Sequence, residues 1–378
     1  MTLPSTYKQM FSTVSRDATL TMALRDVPMP APADDEVIIR VEAAPINPSD
    51  HAVMFGWADM KNAQSSGSGA DRVLTAPVSP EGMAIMQARI GQDIPVGNEG
   101  AGMVAAAGKS DLAQSLIGKL VAARGGASLY AEYRCLPAQM CMPLPPGATA
   151  KDGASSFVNP MTALSFLETM RLEGHSAIVH TAAASNLGQM LNKLSQKDGV
   201  EIVNIVRSQK QVEILEALGA KHIVNSSEDT FMLHLTDAIY ETGATLAFDA
   251  TGGGELASNI LTAMEAAAAR TPSAYSIYGS VKHKQVYLYG GLDTSLTQLT
   301  RAYGMAWGVG GWLLPNFLAQ VGPEVATRLQ TRVAEELKTT FASHYTDEIT
   351  LAEALDAEFV ARYNAKSTGA KFLIRPQL

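Results

Sequence analysis

The chain has 378 residues, 47% hydrophobic and 17% charged, with 29 basic against 37 acidic side chains and a net charge of −8. That length and balance describe a globular chain of two domains or one large one, and they exclude a disordered polymer. The acidic surplus is spread without long runs, which excludes the basic face a nucleic-acid backbone demands.

From Met1 to Asp26 charged residues interrupt every apolar piece, and no leader-like core stands out. No later run approaches the ~20 apolar residues of a membrane helix, so a soluble, cytoplasmic protein without a membrane partner is expected. Glu36–Glu42 reads as a strand, entered from the turn-forming Pro28–Asp35 and left at Pro45. Trp57–Ile94 reads as a long loop around Ser65-Ser66-Gly67-Ser68-Gly69, with a helical piece at Pro80–Arg89. Val96–Ala107 carries Gly97, Gly100 and Gly102, with Gly108 just beyond, a pattern of a strand with close backbone approaches. Leu120–Ala123 and Tyr130–Leu136 are further strands. The only cysteines, Cys135 and Cys141, are too few for a disulfide framework or a four-Cys zinc lobe. Pro143–Gly147 then punctuates the chain and suggests a domain boundary.

From about Lys151 helices and strands alternate. Ala154–Arg171 is a helix interrupted at Pro160, Ser176–His180 a strand and Leu187–Gln196 a helix. Glu201–Val206, His222–Val224, Leu246–Phe248 and Gln285–Tyr289 read as further strands. Helices are expected at Gln209–Leu218, Thr230–Tyr240 and Gly254–Ala269. This rhythm means βαβ units and a doubly wound parallel sheet, that is, an α/β fold. Thr271–Lys284 reads as a loop, Pro323–Lys338 as an amphipathic helix and Phe372–Ile374 as a closing strand.

The first turn of the alternating region is Thr181-Ala182-Ala183-Ala184-Ser185-Asn186-Leu187-Gly188, almost all small residues. Backbone N–H groups at a helix N-terminus reach a pyrophosphate only where no side chain intervenes, and Ser185 and Asn186 can donate or cap there. Only the last glycine of a G-x-G-x-x-G remains, and a ligand-free tight turn would look the same. At the end of the second strand, Arg207-Ser208-Gln209-Lys210 holds no carboxylate for a ribose 2′-hydroxyl. Arg207 instead suits a 2′-phosphate, with Ser208 and Lys210 beside it, so NADPH is the expected cofactor.

Several stretches together resemble the zinc-free branch of the medium-chain dehydrogenase/reductase superfamily, its quinone reductases and 2-enoyl thioester reductases. They are Asn47-Pro48-Ser49-Asp50, Pro95–Gly102, Asn159–Ala163, Gly219–Asn225, Phe248–Gly253 and Ser367–Ile374, in an order spanning Lys8 to Pro376. The resemblance implies a GroES-like, mostly β catalytic domain from residues 1–155 and 316–378, around a Rossmann domain from residues 156–315. It implies hydride transfer from NADPH to a quinone or an α,β-unsaturated carbonyl compound, with Asn47 beside the nicotinamide as the catalytic residue. It also implies that Thr162, Gly290, Gly291 and Lys371 contact the cofactor, alongside Ala183, Ala184, Ser185, Asn186, Leu187 and Gly188. Zinc-dependent members carry a Cys where Asn47 stands, a His where Asn98 stands and a third ligand near Val158 or Asn159. Neutral amides are poor zinc ligands, so no metal is expected, and His51 reads as a satisfied polar residue. Enoyl thioester reductases place a Tyr a turn beyond the Asn-Pro-Ser-Asp signature, whereas here Phe55-Gly56-Trp57-Ala58-Asp59 has none. Either another donor replaces it or the substrate differs. A non-catalytic NADPH-binding protein and a zinc alcohol dehydrogenase stay as alternatives. A homodimer formed around Tyr303–Phe317 is implied by the resemblance.

Overall fold

A computed structural model describes residues 3–124, 126, 128–270 and 276–378; the first five residues of the expected loop Thr271–Lys284 lie outside the described residues. By contact density the chain divides into two units, residues 1–158 with 330–378 and residues 159–329.

The first unit is mainly antiparallel. Thr6–Val14 pairs along its whole length with Thr19–Pro28, and their alternate residues Met10, Val14, Leu20 and Met22 are fully buried. This period of two is what drives a strand to cover a core with one face. The five-stranded sheet runs, in spatial order, Gln64–Ser66, Val73–Pro77, Thr19–Pro28, Thr6–Val14 and Asp93–Pro95. Trp57–Ile94 is therefore not a long loop. It supplies three strands and the helix Pro80–Ile85, and Leu74 and Ala76 from its central strand enter the core. Strands of three to five residues carry too little alternation to be told from loop until a partner pairs with them.

A second sheet orders Cys141–Pro143, Leu120–Arg124, Glu99–Ala107, Glu36–Pro45, Phe372–Ile374 and Asp347–Ile349, with Tyr133–Pro137 also on Glu36–Pro45. The expected close approach is at Gly102, where an added Cβ would stand 2.0 Å from the Arg40 carbonyl oxygen. Glu99 opens one of two neighbouring strands and Asn47 lies two residues past the end of the other, Glu36–Pro45, which sets up the polar cluster described below.

The second unit holds a six-stranded sheet in the order His222–Asn225, Glu201–Val206, Ala177–His180, Leu246–Asp249, Lys284–Leu288 and Trp307–Gly311, every pair parallel, with the short pair Gly252–Gly254 and Asp293–Thr297 apart from it. Numbered along the chain this is 3-2-1-4-5-6, the Rossmann order, with its ligand crevice at the carboxyl ends of the strands. Ala177–His180 and Leu246–Asp249 are buried at every residue, as parallel strands covered on both faces must be. Crossover helices follow at Asn186–Asp198, Gln209–Ala217, Phe231–Thr242 and Leu256–Ala269. Gly199 and Gly243 close two of them in the left-handed region, at φ 67° and 69°.

Two expectations need correction. The helix Val158–Leu172 is continuous through Pro160, because Pro160 sits in its first turn, where an N–H has no intrahelical acceptor to lose. The helix expected from Pro323 is the second half of Leu314–Glu335, broken at Gly322 with φ 81°, after which Pro323 opens the new segment. The segment Tyr303–Phe317, where a dimer contact is expected, contains the sixth strand, Trp307–Gly311, and its end residues Tyr303 and Phe317 are buried. Among the described residues no helix is long and apolar enough to cross a membrane.

Candidate functional site

In the second unit the small-residue turn lies at the carboxyl end of the central strand Ala177–His180. Ala183 and Ala184 are buried, and Ser185 caps the following helix by accepting the Gly188 N–H at 3.1 Å. The one glycine of the turn is dictated by packing. A Cβ on Gly188 would lie 2.1 Å from the Ala183 carbonyl oxygen, so the first turn of the helix could not close against the corner as it does. Ala182 holds φ 50°, a left-handed conformation that alanine adopts at a cost of about 1 kcal/mol. The corner thus presents the first-turn N–H groups of a 13-residue helix with no side chain larger than Asn before Leu187. Such a corner suits a pyrophosphate-sized anion.

The neighbouring strand delivers the second half of this site, since His180 pairs in register with Asn204. Arg207, just past that strand, is exposed. Its backbone N–H donates to Gln211 Oε1 at 2.9 Å, and its guanidinium has no acidic partner among the described residues. Ser208 is the N-cap of Gln209–Ala217, but its hydroxyl makes no capping bond, and Lys210 is exposed beside it. An exposed guanidinium without an acidic partner is chemically suited to a phosphate group.

Further along the same strand ends, Thr181 Oγ1 donates to Asp249 Oδ1 at 2.7 Å, and Asp249 also accepts the Thr251 and Gly252 N–H groups. Gly290 presses on Ala250, where a Cβ would come within 2.6 Å of the Ala250 oxygen, while Gly291 faces open space. Leu288, Tyr289, Gly290, Gly311, Trp312, Leu313 and Asn316 line a cavity of about 370 Å³ at the carboxyl ends of the fifth and sixth strands. Tyr289 shares a 2.9 Å hydrogen bond with His180 Nε2, and burial pushes the His180 pKa down to about 3, so the imidazole is neutral. Thr162 is buried in the helix Val158–Leu172.

The first unit gathers a buried polar cluster that sequence reasoning only half assembled. Asn47 is 2% exposed, and its amide is engaged at both ends. Asn47 Nδ2 donates to Glu99 Oε1 at 2.7 Å, and Lys371 Nζ donates to Asn47 Oδ1 at 3.2 Å. Glu99 Oε2 accepts the Phe157 and Val158 N–H groups at 2.8 and 2.9 Å, at the start of a helix whose dipole favours an anion. Asp50 accepts the Asn47 and Asn98 N–H groups, both at 2.8 Å. The turn at Pro48 is therefore closed by Asp50 rather than by an Asn47 side chain. Burial lowers the Lys371 pKa to about 8 against the pull of Glu99 and Asp50, and it raises the Asp50 carboxyl to about 7. Burial likewise raises Glu99, opposed by Lys371 and by its N–H donors. Glu99 lies within Pro95–Gly102, and the sequence of that stretch alone indicates no role for it. Only the folded chain supplies its three hydrogen-bond partners.

The donor set does not fit zinc. Asn47 is committed as described, Asn98 Nδ2 donates to Ser49 Oγ at 3.3 Å, and an amide is a weak ligand even when free. His51 is packed against Phe55 and Tyr363, and burial drives its pKa to about 3. The Cys135 and Cys141 thiols are pushed up to about 11 and about 12 by burial, far from the thiolate a metal needs.

A family model described as "Alcohol dehydrogenase GroES-like domain" matches residues 33–146. The mitochondrial enoyl-[acyl-carrier-protein] reductase of Bos taurus is 26% identical over 183 residues, 45% of this chain and 49% of that protein. Prostaglandin reductase-3 of Mus musculus is 26% identical over 230 residues, 61% of this chain and 52% of that protein. The chain thus spans about half the length of these curated relatives. Among solved structures, a Mesorhizobium loti protein with a provisional NADPH:quinone reductase assignment is 26% identical, with full coverage of both chains and a TM-score of 0.75. The Escherichia coli quinone oxidoreductase complexed with NADPH has the same fold, at a TM-score of 0.69 and 15% identity over 98% of this chain and 100% of its own.

Proposed function

We propose that this chain, a member of the medium-chain dehydrogenase/reductase superfamily, is a zinc-independent reductase that uses NADPH to reduce a quinone or an α,β-unsaturated carbonyl compound. The observation that carries the reading is the meeting, on adjacent parallel strands, of the side-chain-poor Ala183–Gly188 corner and the unpaired Arg207. NADPH, when bound, supplies the hydride, and the protein supplies position and electrostatics.

In this reading the backbone of Ala183, Ala184, Asn186 and Leu187, with the Ser185 cap, cradles the pyrophosphate. Arg207, Ser208 and Lys210 hold the 2′-phosphate and set the preference over NADH. Thr162, Gly290 and Gly291 line the nicotinamide half of the same unit. In the other unit Asn47 keeps one amide hydrogen beyond its bond to Glu99, and Lys371 brings a positive charge held against Asn47. Together they offer a donor and a cation to an oxyanion that develops on substrate. The donor set gives no place for zinc, so no step passes through a metal.

Titration with both nucleotides tests the cofactor half. Arg207→Ala is expected to weaken NADPH about ten-fold or more, as loss of a charge-assisted hydrogen bond of ~1.5–3 kcal/mol implies, with NADH unchanged. Turnover is followed by nicotinamide absorbance with a panel of quinones and 2-alkenals. Tight NADPH binding with no oxidation by any of them favours the second reading, a nucleotide-binding protein without turnover, which the double commitment of Asn47 already suggests.

The same reading includes a homodimer. The parallel sheet ends on Trp307–Gly311 with one edge unpaired among the described residues. Leu296 and Met305, at 85% and 75% exposure, leave apolar surface in the neighbouring segments. A second copy pairing along that edge would satisfy both the ladder and the apolar surface.

A further inference from the structure

The segment Trp57–Arg89 builds a second cavity, wholly within the first unit and separate from the Asn47–Glu99–Lys371 cluster. Ala52, Gly56, Trp57, Ile85, Met86, Ala88 and Arg89 line about 320 Å³, the low end of the range for small-molecule sites. Its walls are fixed rather than loose. Ser79 caps the helix Pro80–Ile85 by accepting the Gly82 N–H at 3.1 Å, Pro80 opens that helix, and the Trp57 N–H points at Met86 Sδ at 3.3 Å. Gly82 lies so close to Trp57 that a Cβ there would meet the Trp57 oxygen at 3.1 Å.

All but one of the lining residues are apolar or glycine, and two large ones face solvent, Trp57 at 56% and Ile85 at 58% exposure. The exception is Arg89. Its Nη2 donates to Ser12 Oγ at 2.8 Å and to the Val53 oxygen at 3.0 Å, which anchors the guanidinium. Its Nε is buried without a partner, and no carboxylate pairs with it among the described residues. Nη1 lies beside Gly56, where an added Cβ would stand 3.0 Å from it and 2.4 Å from Met86 Sδ, so glycine at this position is what lets Met86 and the guanidinium pack side by side along the cavity wall. Half-buried cations without a counter-charge are costly, and the usual remedy is an anion. A single guanidinium beside apolar walls fits a monoanion with a hydrocarbon body; a phosphate dianion would need more donors.

We propose that this cavity is a binding site for small amphiphilic monocarboxylates, with the carboxylate on Arg89 and the alkyl or aryl body against Trp57, Ile85 and Met86. The proposal does not depend on the nucleotide reading, and its test omits nucleotide. Calorimetric titration of the full chain uses octanoate, its neutral analogue octanamide and inorganic phosphate. Octanoate is expected to bind saturably and at least about ten-fold more tightly than octanamide, a difference of ~1.4 kcal/mol, and phosphate is expected not to displace it. Arg89→Gln should abolish the acid-over-amide preference. Because that change also removes the bonds to Ser12 and Val53, Ile85→Glu at the exposed rim is the deciding variant. It should weaken octanoate about ten-fold or more by like-charge repulsion while leaving the melting temperature unchanged. Equal affinity for acid and amide, equal competition by phosphate, an Ile85→Glu protein that binds octanoate like wild type, or no saturable binding would each overturn the assignment.

Discussion

Glu99→Gln is the sharpest probe of the buried cluster, because the isostere keeps the shape and inverts half the hydrogen bonding. Glu99 accepts from Asn47 Nδ2, Phe157 N and Val158 N, and Asn47 Oδ1 in turn accepts from Lys371. If the new amide oxygen keeps the two backbone N–H groups, its NH2 faces the Asn47 NH2. Flipping Asn47 relieves that contact only by turning its NH2 toward the Lys371 ammonium. Every arrangement leaves one donor against another while the ammonium is charged, at a cost of ~1–3 kcal/mol, and the ammonium also loses its buried anion, up to ~3–5 kcal/mol. These overlap, so about 3–5 kcal/mol is the net expectation, a fall in melting temperature of roughly 6–20 °C at ~2–4 °C per kcal/mol for a domain of this size.

The loss should depend on pH. The folded Lys371 pKa, about 8, lies below the ~10.4 of an unfolded lysine. Above about pH 8 the unfolded chain therefore binds more protons, and stability from this group rises with pH. In the variant the folded pKa falls further, so the recovery begins at lower pH. A neutral amine can accept the flipped Asn47 N–H, which removes the donor clash. Scanning calorimetry at pH 7 and pH 9 should thus find a large deficit at pH 7 and a smaller one at pH 9. A deficit under about 3 °C at pH 7, or one that grows toward pH 9, would refute the network as drawn.

Gly188→Ala places a Cβ 2.1 Å from the Ala183 oxygen, and moving the first turn of the helix from the corner by the ~1 Å needed should cost about 1–3 kcal/mol. Nucleotide titration should show NADPH and NADH weakened alike, in contrast to the selective effect at Arg207; unchanged binding of both would mean that the corner holds no pyrophosphate. Leu296→Glu with Met305→Glu, both at exposed positions, should turn a dimer into a monomer in light scattering with little change in melting temperature. A chain that is already monomeric at micromolar concentration would remove the dimer from the reading.

The alternation of helix and strand from Lys151 onward was enough to specify a parallel sheet, because five strands and their crossovers each carry a local signature of length, apolarity and turn residues. The small-residue corner and the Arg207 beyond the second strand are likewise local, and adjacent βα units must bring their ends together. Other features belong to the tertiary structure alone. The strands Val73–Pro77 and Asp93–Pro95 exist through pairing with Thr19–Pro28 and Thr6–Val14, far back in the chain, and Gln64–Ser66 and the edge strand Trp307–Gly311 are strands only because a neighbour pairs with them, since a few residues of glycine-rich or polar sequence carry no period of their own. The bond between Lys371 and Asn47 spans 324 positions. Burial there moves pKa values and fixes amide orientations, and neither follows from residue identity, since desolvation is set by whatever the rest of the chain packs around a group.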